Sequence, residues 1–307
     1  MEIDMTLALS VLDQSPVPAG GSAAVALRDT VRFARAIDTL GYTRFWVAEH
    51  HGSASFAGLA PEILTAVLLE QTQHMRIGTG GVLLPRYDAR KVAEVFHVLA
   101  DLHPGRVDLG IGRAGGPANT FPDQLDILSG ALEALRAERP AGSDPEVWLL
   151  GSGTRSGKLA ADRSLRFCFG HFLNPAQTAP ALSEFHRQGN HGRAALAVRV
   201  FVAETTSAAQ AQARSYLLWR SRKDLGADEP LPSPTDAARH RWTPAERIHA
   251  AANQAAIVVG DPVEAYDQLT ALAKLHEVDE IVVNTLAHNP DDRILAYRLL
   301  AEAFASR

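Results

Sequence analysis

Hydrophobic and polar positions along the chain fall into short runs without a polar face and longer stretches with a helical stripe. Thr6–Leu12 is a nearly continuous apolar run, the pattern of a strand buried on both faces. Ser22–Leu40 then carries Ala24, Leu27, Val31, Ala34, Ile37 and Leu40 at spacings of three and four, one face of a helix. Ser22 can cap that helix and Gly41 can stop it. Arg44–Ala48 reads as a second strand and Ala60–Gln73 as a helix with Pro61 tolerated in its first turn. Met75–Leu84 is a third strand, Ala89–Leu102 a helix, and Arg106–Ile111 a strand entered from the Pro104-Gly105 turn.

The alternation continues in the second half. Strands are expected at Val147–Leu150, Phe167–His171, Ala195–Ala203 and Glu280–Asn284, with helices over Thr154–Asp162, Thr178–Gln188, Ser207–Lys223, Pro262–Leu275 and Pro290–Ala305. The stretch Asp224–Thr243 holds Pro230, Pro232, Pro234 and mixed charge, and reads as a long loop or lid. Strand followed by helix, repeated without a domain linker, predicts an α/β protein with a single (β/α)8 TIM barrel domain over 1–307 and a loop or lid insertion at about 224–243. A doubly wound dinucleotide fold would place Gly-x-Gly-x-x-Gly after the first strand, where this chain has Leu12-Asp13-Gln14-Ser15-Pro16. In a barrel the chemistry belongs at the C-terminal ends of the strands.

Composition narrows the classes further. The 307 residues are 46% hydrophobic and 21% charged, which excludes a disordered chain, and the net charge of -5 has no basic cluster to hold nucleic acid. A single cysteine, Cys168, excludes a disulfide framework or a cysteine zinc site, and its place in an apolar strand makes it a packing residue. Met1-Glu2-Ile3-Asp4 has the wrong charge for a signal peptide and no apolar run is long enough for a membrane span, so a cytoplasmic protein is expected.

The strand ends carry the candidates. Glu49-His50-His51 follows the second strand; neighbouring residues on a strand face opposite ways, which argues against one metal held by both histidines. A hydrogen-bonded rim pair and a lone proton donor or acceptor in a pocket remain, and His50 is the residue favoured for the second role. Gly80-Gly81 interrupts the third strand, either as a bulge or where a flat ligand approaches the backbone. Gly151-Ser152-Gly153-Thr154 opens a helix directly after a strand, a turn whose N–H groups suit a phosphate, and Arg113 one strand away would add a charged fork.

Together these segments resemble the bacterial luciferase-like superfamily of flavin-dependent monooxygenases, closest to its single-chain subgroup found in actinobacterial and natural-product settings. The resemblance rests on Leu12-Asp13-Gln14-Ser15-Pro16, on Gly41-Tyr42 through Trp46-Val47-Ala48-Glu49-His50-His51, and on Ile77 through Pro85. It continues over Pro104 through Arg113 and Leu149-Leu150-Gly151-Ser152. It implies a catalytic acid/base role for His50, a non-proline cis peptide at Gly80-Gly81 beneath the isoalloxazine ring, and phosphate contacts from Arg113 and Ser152. Gly151 belongs to the same cofactor-binding turn.

The activity implied is oxygenation of a small or polyketide-like organic substrate by O2, through a C4a-peroxyflavin formed on reduced FMN. The family usually receives that flavin from a separate NAD(P)H:flavin reductase, and its barrels commonly form homodimers through the second and third helices. A deazaflavin (F420)-dependent oxidoreductase and a non-catalytic flavin-binding protein are the alternatives. The chain departs from the family pattern in the short segment Ala114–Glu146. It departs again at Thr154-Arg155-Ser156-Gly157, where a serine and an aromatic are usual; Arg155 either adds charge at the phosphate or faces solvent.

Overall fold

The computed structural model describes residues 7–136, 144–190 and 192–307. Met1–Asp4, Thr6 at the start of the first predicted strand, and Pro140 lie outside them. The elements run β1 (Ala8–Asp13), α1 (Ala23–Ile37), β2 (Arg44–Val47), α2 (Pro61–Gln71), β3 (Arg76–Thr79), β4 (Val82–Leu83), α3 (Ala89–Leu102) and β5 (Val107–Gly112). They continue α4 (Phe121–Arg136), β6 (Glu146–Gly151), α5 (Thr154–Asp162), β7 (Arg166–Gly170), α6 (Thr178–His186), β8 (Ala194–Val202) and α7 (Thr206–Asp224). The last are α8 (Pro234–Arg239), α9 (Pro244–Gln254), β9 (Ile257–Gly260), α10 (Pro262–His276), β10 (Glu280–Asn284) and α11 (Pro290–Ala305).

The sheet is parallel and closed: its order β10-β1-β2-β3-β5-β6-β7-β8 returns on itself through β8–β10 pairing, which makes the predicted (β/α)8 barrel. Closure is set by Ala8↔Glu280 on one side of β10 and Glu280↔Ala195 on the other. Alternation along each strand separates two cores. Residues such as Leu9, Val11, Phe45, Val47, Ile77 and Leu109 point out and pack under the helices. Leu12, Trp46, Ala48, Trp148, Cys168, Ala197 and Val282 fill the barrel itself, with Trp46 and Trp148 edge to face at 5.2 Å.

Below that apolar layer the N-terminal end of the barrel is plugged by interlocked charges. Arg44 reaches Asp108 at 2.6 Å, Glu280 at 2.6 Å and Glu146 at 3.0 Å, while Arg76 holds Asp108 at 2.7 Å and Arg166 holds Glu146 at 3.2 Å. Burial opposes charge on Arg44, but the three carboxylates outweigh it and push its pKa above the ordinary value.

Three features differ from the sequence expectation. The third strand is not continuous: it breaks at Gly80-Gly81 into β3 and β4, with β4 pairing β5. The short segment after β5 contains α4, whose Phe121, Leu125 and Leu128 pack into the core at helical spacing. The crossover from β8 to β10 is longer than one helix and carries α7, α8, α9 and β9, the last pairing with the outer half of β8. α9 starts from a capping box between Thr243 and Glu246 with Pro244 at its first position.

Within 224–243 the chain is tied across the barrel mouth. Leu231 exchanges backbone hydrogen bonds with Val17 and Ala19, at 3.0 and 2.7 Å, and the Glu229 carbonyl accepts from Ser55 Oγ at 2.8 Å. The stretch forms α8 after this crossing.

Candidate active site

His50 lies just beyond β2, where the chain has left the sheet. Its neighbour Glu49 turns the other way and fixes the local shape: its carboxylate accepts from Leu83 N–H at 2.8 Å, Tyr87 O–H at 2.7 Å and sits 2.5 Å from His51 Nε2. His50 and His51 therefore have separate partners, as the alternation of side chains requires. The His50 ring lies on Phe56, with centroids 4.3 Å apart, and its Nε2 is 3.2 Å from Gln14 Nε2. Its Nδ1 is buried and has no hydrogen-bond partner among the described residues. Burial, reinforced by the charges of Lys223 and Arg199, lowers its pKa from 6.5 to about 4, so the ring is neutral across the physiological range.

The phosphate candidates come together. Arg113, Gly151, Ser152, Gly153 and Arg155 line one cleft of about 350 Å³ at the ends of β5 and β6. Gly153 begins α5 with no side-chain cap, so the helix presents its first N–H groups to the cleft. Arg113 is exposed and donates to the Gly116 carbonyl at 2.7 Å. Arg155 donates to the Ala118 carbonyl at 3.1 Å from the same rim, so it adds charge there. Two residues with no signal in the motif brace the turn: Asn174 donates to the Ser152 carbonyl at 3.1 Å, and Gln177 accepts from Thr154 Oγ1 at 3.1 Å. Gly151 is a packing requirement, because a Cβ there would run into Ser156.

Gly80-Gly81 is joined by a cis peptide bond, at the place the resemblance implied. A Cβ on Gly80 would collide with Leu12 at 2.6 Å, and one on Gly81 with Leu150 and with the Gly110 carbonyl. Protein atoms thus occupy the space that a side chain on either glycine would need, so the strand break is closely packed. Leu150 touches this break and also lines the Arg113 cleft, so the two lie side by side at the barrel mouth. His50 does not line the cleft; it approaches the mouth from the β1–β2 side through Gln14.

Other strand ends serve packing. His171 Nδ1 is 2.8 Å from Thr178 Oγ1 on α6, and Asn284 donates to the Leu12 carbonyl at 2.6 Å inside the barrel. Cys168 is buried, and burial pushes its thiol pKa up, away from the reactive thiolate. A residue the sequence reading missed is Arg199, an arginine inside the apolar run of β8 and only 3% exposed. Its signal was available: a lone cation in a strand otherwise made of Ala, Leu, Val and Phe is rarely buried without a task.

Comparison with known proteins places this chain in a family. Residues 7–137 match the family described as luciferase-like monooxygenase. Over 97% of the chain and 99% of its own length, the Bacillus subtilis protein YwcH is 36% identical. The N-acetyl-S-alkylcysteine monooxygenase of the same organism is 32% identical over 96% of this chain and 97% of its own. The chain belongs to the luciferase-like monooxygenase family.

The fold agrees at closer range. The crystal structure of apo-MsnO8 superposes with a TM-score of 0.87 at 33% identity, covering 97% of this chain and 98% of that one. More distant neighbours share the barrel alone: an FMN complex of the oxygenating constituent of 3,6-diketocamphane monooxygenase from Pseudomonas putida, at TM-score 0.71, and an F420-dependent secondary alcohol dehydrogenase, at 0.68. The alignment with YwcH runs over 332 positions against the 307 of this monooxygenase, so the relative carries segments that this chain lacks. Among the described residues no helix is long and apolar enough to cross a membrane.

Proposed function

We propose that this monooxygenase uses reduced FMN, delivered by a separate NAD(P)H:flavin reductase, to place one oxygen atom of O2 on a small organic substrate. The observation that carries the reading is the cleft in which Arg113, Ser152 and the uncapped start of α5 converge beside the Gly80-Gly81 break. That donor set suits a phosphate monoester: a guanidinium fork from one strand end and backbone N–H groups at a positive helix end from the next. The neutral His50 beside the mouth suits proton handling next to an apolar ring system.

In this reading Arg113 and the turn Gly151–Gly153 hold the phosphate, and Gly80-Gly81 carries the ring system at the mouth. When bound, reduced FMN supplies the electrons that divide O2 between product and water. The chain's own share is to orient the flavin, to keep water out with the apolar side chains under the mouth, and to hold a proton at His50. The segment over 224–243, tied to the loops after β1 and β2, serves as the cover. The name of the relative N-acetyl-S-alkylcysteine monooxygenase makes thioether-bearing cysteine derivatives the first substrates to try.

The test is an anaerobic titration with reduced FMN, with reduced deazaflavin in parallel, followed by an oxygen pulse in the presence of candidate substrates. Tight FMN binding and oxygenated product support the reading. Preference for deazaflavin moves the protein to hydride transfer, and flavin binding with all oxygen released as peroxide moves it to a non-catalytic carrier. A companion variant checks the phosphate site: Arg113→Ala is expected to weaken FMN about tenfold while leaving riboflavin unchanged, because only the charged hydrogen bond to phosphate is lost. Equal loss for both ligands in a fluorescence titration would remove Arg113 from that role.

A homodimer is part of the same proposal. Leu59, Ile63 and Val67 leave a groove of about 920 Å³ between α1 and α2, and Val98 and Leu102 extend apolar surface along α3. Ile63 is 63% exposed, and an apolar patch of this kind on one side of a barrel marks an interaction face. Light scattering at micromolar concentration is expected to give twice the chain mass, and a value equal to one chain would refute it.

A further inference from the structure

We infer that Arg199 and Gln14 form a relay that fixes the tautomer of His50, placing its ring proton on Nδ1 and leaving Nε2 as an acceptor. The inference deepens the role proposed for His50, and only its catalytic consequence rests on that reading.

The argument starts from Arg199. Its guanidinium is clamped between Phe172, at 4.8 Å, and Tyr216, at 4.9 Å, in the upper part of the barrel. Among the described residues no carboxylate pairs with it; one terminal nitrogen donates to Gln14 Oε1 at 3.1 Å, and its Nε and other terminal nitrogen have no partner there. A guanidinium only donates. Burial lowers its pKa to about 10, which still leaves it protonated at neutral pH.

From that single fact the rest follows by elimination. The atom of Gln14 that faces Arg199 must be the carbonyl oxygen, so the amide cannot be flipped, and its NH2 group is the one turned toward His50. That NH2 has hydrogens and no lone pair to offer, so His50 Nε2, 3.2 Å away, must be the acceptor. A neutral imidazole with a bare Nε2 carries its proton on Nδ1. The groups facing His50 agree with a neutral ring: Lys223 from α7 and Arg199 from β8 are both cations, Phe56 covers its face, and His51 on its own segment is held by Glu49.

The consequence for chemistry is specific. With its proton on Nδ1, a buried atom without a hydrogen-bond partner among the described residues, and Nε2 accepting from Gln14, the neutral ring of His50 has neither nitrogen free to take a further proton until Gln14 moves away. Gln14 and Arg199 act through His50 and are positioning residues. Neither touches the Arg113 cleft.

The experiment is long-range nitrogen–proton NMR on the full chain, without flavin, labelled with 15N at its 12 histidines. The His50 signals are identified by their loss in His50→Gln. A protonated Nδ1 and a bare Nε2, stable from pH 8 down to about pH 5, are the expected result; a proton on Nε2 overturns the inference without further variants. In Gln14→Glu the carboxylate accepts from both neighbours, so the proton is expected to move to Nε2 and the titration of His50 to rise by about 1–3 pH units. A folded Gln14→Glu protein whose tautomer and titration are unchanged would mean that Gln14 only packs. Since no flavin is present, the tautomer stands or falls independently of whether oxygenation is the activity.

Discussion

Replacing Arg44 with Met is expected to destabilise the protein by about 3–5 kcal/mol, the usual cost of leaving buried charges without their partner. Arg44 is the hub of the plug at the N-terminal end of the barrel, and its removal takes a cation away from the buried Asp108 and Glu280, while the partly exposed Glu146 keeps Arg166. Asp108 would keep Arg76 and the Trp46 indole N–H, but Glu280 would keep only Ser10 among the hydrogen bonds that join these residues. The loss would also remove one of the two guanidinium groups over the Trp148 ring, the Arg44 one at 4.7 Å, leaving that of Arg166 at 5.4 Å. Chemical denaturation provides the measure. The triple variant Arg44→Met, Asp108→Asn, Glu280→Gln should regain part of the loss, because charges in one network are coupled. A single variant within 1 kcal/mol of the parent would show that water reaches the plug.

Substituting His50 by Ala is expected to lower product formation by about 10²–10⁴-fold, the range for removing a positioned proton-handling group, while flavin affinity stays within about threefold. The separation follows from geometry: His50 belongs to the Gln14 side of the mouth, and the phosphate donors belong to the cleft at β5 and β6. Peroxide release should rise as product falls, since oxygen activated without proton control is lost to water. The pH profile supplies an independent check. Because burial and the charges of Lys223 and Arg199 hold His50 near 4, its limb in the profile should lie near pH 4, not at the 6.5 of an ordinary histidine. Activity that falls with a midpoint near 6.5 and loses that limb in His50→Ala would contradict the assignment of a neutral, buried ring.

The barrel was legible because parallel strands buried on both faces leave the same mark everywhere: short apolar runs, each followed by a helical stripe, with glycine or proline at the joints. What escaped the reading was local. α4 and α9 were hidden by the prolines and charges around them, although Thr243-Pro244-Ala245-Glu246 is a helix start in its own right. β9 is four residues long and extends β8 outside the closed barrel, so no eightfold count asks for it.

At the candidate site, His50, Arg113 and Ser152 were singled out from their places after strand ends, and the structure brings Arg113 and Ser152, without His50, to one cleft. Gln14 was seen within a motif but given no task, because an amide takes its meaning from the groups on either side of it. Those groups, Arg199 and His50, come from β8 and from the turn after β2, and only the closed sheet brings them together. The glycines at 80 and 81 were singled out as a strand break, and the structure shows Leu12, Leu150 and Gly110 packed against that break.

The closure of the barrel has a consequence for synthesis of the chain. Asn284 donates to the carbonyl of Leu12, 272 positions earlier, and the register between β1 and β10 is built from residues equally far apart. At about 5–20 residues per second, a ribosome needs roughly 15–55 s to produce β10 after β1 has emerged. Throughout that interval one edge of β1, rich in Leu and Val, waits without its final neighbour, open to any other strand nearby. Loops bridging hundreds of residues are closed slowly once available. The nascent protein therefore carries an open strand edge until β10 is made, and slower elongation anywhere before that point would prolong the exposure.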